Sequence, residues 1–109
     1  MAVYHYVVLT SAKAGRLEDF EHWYDTQHLQ DVVKVPEIKS AKRYRLTGSL
    51  TDKLEPAPWS SLAIYVMETD DPVAVAQKLS AMAGTSAMTM TDSLDDERLK
   101  IIAQLVAEV

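Results

Sequence analysis

Hydrophobic and polar positions change period several times along the chain. Val3-Tyr4-His5-Tyr6-Val7-Val8-Leu9-Thr10 is rich in β-branched and aromatic residues and reads as a strand, apolar on both faces. A short loop, Ser11 to Gly15, follows. From about Arg16 to Val33 the apolar residues return at helical spacing, and Pro36 enforces a stop, because the residue before a proline avoids helical dihedrals. Ile38 to Leu46 alternates like a second strand, with Ile38, Ser40, Lys42, Tyr44 and Leu46 on one face. Gly48 to Pro58 is a polar loop. Trp59 to Glu68 is a third strand, with Leu62, Ile64 and Val66 on one face and Trp59, Ala63, Tyr65 and Met67 on the other. Asp71-Pro72 is a helix start, a capping carboxylate before a proline in the first helical position, and Gly84 is a plausible stop. Ser86 to Glu97 is less regular. Leu99 to Val109 alternates as a last strand.

The order β-α-β-β-α-β is the ferredoxin-like plan, an α+β fold with a four-stranded antiparallel sheet and two helices on one face. Residues 1–109 are expected to form a single domain. The other face of the sheet would be bare, and the first and third strands are too apolar on both sides to meet water. A second copy of the sheet is the natural cover, so the pattern predicts a homodimer packed sheet to sheet.

Charge and composition narrow the partners. The net charge of −5 argues against a surface that tracks nucleic-acid phosphates. KSAKRYR, with four basic residues in seven, is the local exception and reads first as a solvated sheet face. With no cysteine, disulfides, zinc thiolates and a cysteine nucleophile are excluded. The apolar start lacks a basic leader and is too short to span a bilayer, so the cytoplasm, with no membrane partner, is the expectation.

Candidate chemistry concentrates in the first helix. At about 100° per residue, Leu17, Phe20, Tyr24, His28, Asp31 and Val35 share one arc, with Gln27 at its edge. The first half of that arc is core. The second half carries a phenol, an imidazole and a carboxylate, whose buried polar tips need partners or water. A cavity between this half of the helix and the sheet meets that need. His28 lies three residues before Asp31 and four after Tyr24, so all three meet on one face. A carboxylate near an imidazole fixes its tautomer and raises its pKa, as an acid or base requires. A structural histidine bonded to the backbone or to Asp31 is the plainer reading of the same pattern. His5, on the first strand, faces either the helices or the dimer interface. His22 and Asp25 fall on the solvated side. Trp23, Tyr44 and Tyr65 are further candidates for the wall of a pocket that takes a flat apolar ligand. Met88 and Met90, in the irregular segment, suit a lid.

No glycine-rich loop opens a helix, which disfavours a nucleotide phosphate site, and no serine sits in a nucleophile elbow. His28 and Asp31 alone make a poor metal site, so neither a metal nor another cofactor is expected.

Phe20, Trp23, Tyr24, Asp25, His28, Asp31, Val32, Val35, Pro36, Arg43 and Tyr44 together resemble a pattern of the EthD-like branch of the dimeric α+β barrel superfamily: F-x-x-W-Y-D-x-x-H-x-P-D-V, then V-P-G-F and a strand ending in R-Y. SAMTMTDSLDD resembles the family's last segment before the final strand. Gln30 stands where the pattern has proline and Glu37 where it has glycine. The resemblance implies a pocket between sheet and helices in each subunit. It also implies cofactor-free chemistry on small aromatic or polyketide-like compounds, by a cyclase, isomerase, lyase or monooxygenase, with His28 as acid or base, Asp31 orienting it and Tyr24 assisting. A non-catalytic binding or stabilising protein of the same fold is the alternative. Haem binding would need an axial histidine, and the second helix has none.

Overall fold

The computed structural model describes residues 1–109. Strands β1 (Val3–Ala12), β2 (Ile38–Arg45), β5 (Ser61–Glu68) and β6 (Leu94–Gln104) form one antiparallel sheet in the order β2-β5-β1-β6. The first helical region, α1, has three parts: an α segment Leu17–Trp23, a π segment Tyr24–His28 and an α segment Leu29–Val32. Helix α2 spans Pro72–Met82. The ferredoxin-like expectation holds. The polar loop between β2 and β5 also contains a two-stranded hairpin, β3 (Ser49–Leu50) with β4 (Leu54–Glu55), too short for a periodicity to reveal.

Both helices cover one face of the sheet. Tyr6, Val8 and Thr10 of β1 and Ser61, Ala63, Tyr65 and Met67 of β5 are buried beneath them. Phe20, Tyr24, Val32, Val75 and Leu79 fill the helix side. Helix α2 starts as its sequence dictates, with the Asp71 carboxylate accepting from the Ala74 N–H at 3.1 Å. The opposite face presents Val3, His5, Val7, Leu9, Leu62, Ile64 and Val66, all only partly buried, with Leu99 and Ile101 exposed. No helix is long and apolar enough to cross a membrane.

Several features differ from the sequence reading: β5 begins at Ser61 rather than Trp59, and Leu17, placed on the core arc, is exposed. A bulge between Ile38 and Ser40 turns Ile38 into the core, while Ser40, Lys42 and Tyr44 face the other way. Strand β6 also begins five residues earlier than its alternation suggests and ends at Gln104. Asp95, Asp96 and Glu97 look like a loop, but β6 is an edge strand, where charged residues are tolerated. Its partner β1 begins at Val3, so beyond the Leu105 N–H to Val3 carbonyl bond, 3.1 Å, the ladder has nothing to pair with.

Candidate active site

The π segment decides the geometry of the site. The Leu29 N–H reaches back to the Tyr24 carbonyl, the i to i+5 closure of a π turn. In a regular α-helix, residues five apart point about 140° away from each other. Here Trp23 and His28 stack, with ring centroids 4.5 Å apart and planes at 24°. Tyr24 meets the His28 ring edge-on at 5.0 Å and Phe20 at 5.5 Å. A continuous aromatic series therefore runs from the core residue Phe20 to the imidazole. Trp23 also donates from Nε1 to the Thr89 carbonyl at 2.9 Å, tying the segment after α2 over the same region.

These groups line a half-open cavity of about 80 Å³ between α1, α2 and the sheet. Its body is apolar: Val8, Val32, Leu79, Ala83, Met88 and Leu94. Its polar groups are His28, Tyr6, Tyr24, Tyr65, Thr10 and Ser80, with Arg98 and Lys100 arriving from β6. Of the candidate residues, Tyr65, Met88, Met90, Trp23, Tyr24 and His28 line this cavity. His5 and Tyr44 do not. His5 pairs with Val66 and Tyr44 with Leu62, both on the sheet face away from the helices. The weak alternation of β1 left the side of His5 open, and the β2 bulge fixed that of Tyr44.

Asp31 is buried but faces elsewhere. It accepts from Gln27 Nε2 at 2.8 Å and pairs with Lys34 Nζ at 3.5 Å. It makes no hydrogen bond to His28, whose Nδ1 is buried without any partner. Asp31 therefore does not fix the imidazole tautomer. Burial dominates the His28 environment and lowers its pKa from 6.5 to about 4; Asp31 pulls the other way, and the positive Arg98 adds to the fall. The imidazole is neutral at neutral pH.

The tyrosines are neutral as well. Burial raises the pKa of Tyr6 and Tyr24 and takes Tyr65 well above 10. The Tyr24 and Tyr65 hydroxyls lie 3.1 Å apart. Either hydroxyl can donate in this bond, so the pair can pass a proton in either direction. The Thr10 hydroxyl sits near enough to favour the Tyr24 phenolate, yet Thr10 Oγ1 has no hydrogen-bond partner.

Outside the cavity, α1 is clamped to β2. Arg43, its side chain only 7% exposed, holds Asp25 through both Nε and Nη2 and reaches Glu21 at 3.3 Å. Its guanidinium lies 5.7 Å from the Tyr24 ring centroid. Arg45 adds a two-point contact to Glu21 at 2.8 and 3.1 Å. Asp25 is half-exposed, as its angular position requires, but it anchors the arginine that supports Tyr24.

No protein-family model and no curated protein matches the sequence. Solved structures do. The chain is similar to that of a proposed monooxygenase from Shewanella loihica PV-4, with a TM-score of 0.61 and 16% identity over 98% of this chain and 97% of that one. It is also similar to an EthD family protein from Bacillus halodurans C-125, with a TM-score of 0.54 and 16% identity over 97% and 100% of the two chains. The fold is EthD-like. Within it, six of the motif residues form one connected group: Phe20, Trp23, Tyr24 and His28 through ring contacts, and Asp25 and Arg43 through their ion pair, with Arg43 over the Tyr24 ring.

Sequence reasoning did not single out Arg98, Lys100, Thr10 or Tyr6 for the site. Alternation in β6 does put Lys100 and Ile102 on a common face. The register then sets Arg98 opposite Thr10 and Lys100 opposite Val8, both on the helix side.

Proposed function

We propose that this protein is an enzyme that acts by acid/base chemistry on a small aromatic compound, using the cavity at His28. The observation that carries this reading is a neutral imidazole with an unpartnered Nδ1, stacked on Trp23 inside an apolar cavity. A buried polar atom without a partner is costly to the fold, by about 1–3 kcal/mol, and such a cost is common where a ligand supplies the missing partner. The 80 Å³ cavity is smaller than the ~150 Å³ that holds benzene in an engineered protein core. A single ring therefore enters with its substituents in the mouth, and a fused polyketide system would need the Met88–Met90 segment to move.

In this reading His28 removes a proton from an acidic carbon or a phenol. Tyr24, which lines the cavity and is neutral, donates to the oxygen on which charge develops while accepting from Tyr65. The same steps serve a cyclase, isomerase, lyase or monooxygenase. An imidazole of pKa about 4 is fully available as a base at pH 7 but a weak one, and a bound anion beside it would strengthen it. That weakness is also what favours the second reading, a non-catalytic binding protein in which His28 only bonds the ligand. Solvent-deuterium exchange into a panel of phenolic 1,3-dicarbonyl compounds, followed by NMR, separates the two. The enzyme reading expects exchange that falls at least about tenfold in His28→Ala with the fold retained. Binding without exchange, or exchange unchanged in the variant, refutes it.

For the open sheet face we propose a second copy of this chain as the occupant. The exposed residues Leu99 and Ile101 and the half-buried Val7, Leu9 and Ile64 make a patch whose best complement is another apolar sheet. Light scattering at micromolar concentration should give twice the chain mass, and a monomer removes the proposal.

A further inference from the structure

Four arginines occur in the chain, and three are committed to carboxylates: Arg16 to Asp19 and Asp92, Arg43 to Asp25 and Glu21, and Arg45 to Glu21. Arg98 is the exception. No carboxylate reaches it, although Asp95, Asp96 and Glu97 precede it directly. Lys100, two residues on, is equally unpaired. The chain has 16 acidic residues against 11 basic ones, so two uncompensated cations side by side do not follow from any surplus of positive charge.

Their position is specific. The β6 register puts Arg98 opposite Thr10 and Lys100 opposite Val8, so both enter the helix-side face and line the mouth of the cavity. Thr10 Oγ1, with the residue only 3% exposed, is the other buried polar atom left without a partner, and it too lines the cavity. The interior is apolar. Arg98 presents a planar fork suited to a carboxylate, and Lys100 a point charge beside it.

We propose that the ligand is a single-ring aromatic acid, its ring against Trp23 and His28 and its carboxylate held by Arg98 and Lys100. This rests on the reading of the cavity as the ligand site and adds the chemical class. The arrangement also links binding to the imidazole: burial does most to lower His28, and a carboxylate on Arg98 offsets the smaller positive contribution, so the occupied site carries a somewhat stronger base.

The test uses the full chain with benzoate, benzamide, phenol and inorganic phosphate. Titrations are followed by the NMR resonances of His28 and the Trp23 indole, with calorimetry for affinity. Benzoate is expected to bind at least about tenfold tighter than benzamide, the margin a charge-assisted bond supplies. Arg98→Gln should abolish that preference while changing benzamide binding by less than about threefold, and Lys100→Gln should reduce it. Arg98 is exposed, so the variant should keep the parent melting temperature. Equal binding of benzoate and benzamide, or a preference that survives Arg98→Gln, overturns the acid class and leaves the cavity reading intact. Phenol, neutral near pH 7, matching benzoate shows that no anionic group is needed and overturns the carboxylate. Phosphate matching benzoate identifies a general anion site and overturns the ring. If none of the four shifts His28 or Trp23, the cavity reading itself falls.

Discussion

Replacing His28 with glutamine tests the electrostatic account of the site without any substrate. Burial lowers the imidazole from 6.5 to about 4, so the folded chain resists a proton that the unfolded chain accepts. Above about pH 7 the group is neutral in both states and contributes no pH dependence. As pH falls from 6.5 to about 4, stability drops, because the unfolded state alone gains the proton. Below about 4 both states carry it and the loss levels off. The interval, at about 1.4 kcal/mol for each pH unit, amounts to about 3 kcal/mol at most. Three carboxylates whose pKa values are lowered by their partners, Glu21, Asp31 and Asp92, also lose stability on acidification, but chiefly below pH 5. The difference between parent and His28→Gln cancels them. Urea unfolding monitored by tryptophan fluorescence, at fixed protein concentration and at pH 7.5, 6.5, 5.5 and 4.5, measures it. The parent should lose about 2–3 kcal/mol relative to the variant as pH falls from 7.5 to 4.5. Parallel curves, or an NMR titration of His28 near 6.5, would refute a desolvated imidazole, and with it the neutral base.

Arg43→Ala strands Asp25, leaves Glu21 with Arg45 alone and removes the cation over Tyr24; a loss of about 2 kcal/mol is expected, because Arg43 is buried but Asp25 is half-exposed, and an unchanged thermal melt contradicts it. Tyr65→Phe deletes one partner of the Tyr24–Tyr65 hydroxyl pair within the buried core and should cost about 1–2 kcal/mol in chemical denaturation. Trp23→Phe keeps an aromatic ring beside His28 but removes the indole bond to the Thr89 carbonyl; amide exchange in residues 84–93 should quicken while exchange in β1 and β5 stays as it was. Asp71→Ala removes the α2 cap and should cost about 1 kcal/mol, read as a lower urea midpoint.

The elements that packing enforces were legible in the chain. Strands β1 and β5 and the cap at Asp71 follow from residue types alone, and so does the burial of Phe20, Tyr24, Val35 and Met67. What escaped depends on pairing. Tyr44 could be placed only once the β2 bulge was known, and the start of β6 only once β1 was seen to continue pairing past Thr10. His5 could not be assigned a side, because both faces of β1 are apolar. Arg98 looks like any surface arginine until its register partner, Thr10, turns out to lie under the helices.

The π segment explains why a correct arc still led to a wrong partner for His28. At 100° per residue, Tyr24, His28 and Asp31 form one polar face, and a carboxylate beside the imidazole looks inevitable. One π turn changes the phase after Tyr24. His28 rotates onto Trp23, five residues back, and Asp31 turns to Gln27 and Lys34. The imidazole thus loses a hydrogen-bonded carboxylate and gains an aromatic wall that helps desolvate it; Asp31 still raises its pKa through space, but burial outweighs it and the positive Arg98 adds to the fall. A neutral histidine beside an unpaired cation is poorly arranged to retain a proton of its own, and better arranged to accept one from a ligand that brings negative charge to Arg98.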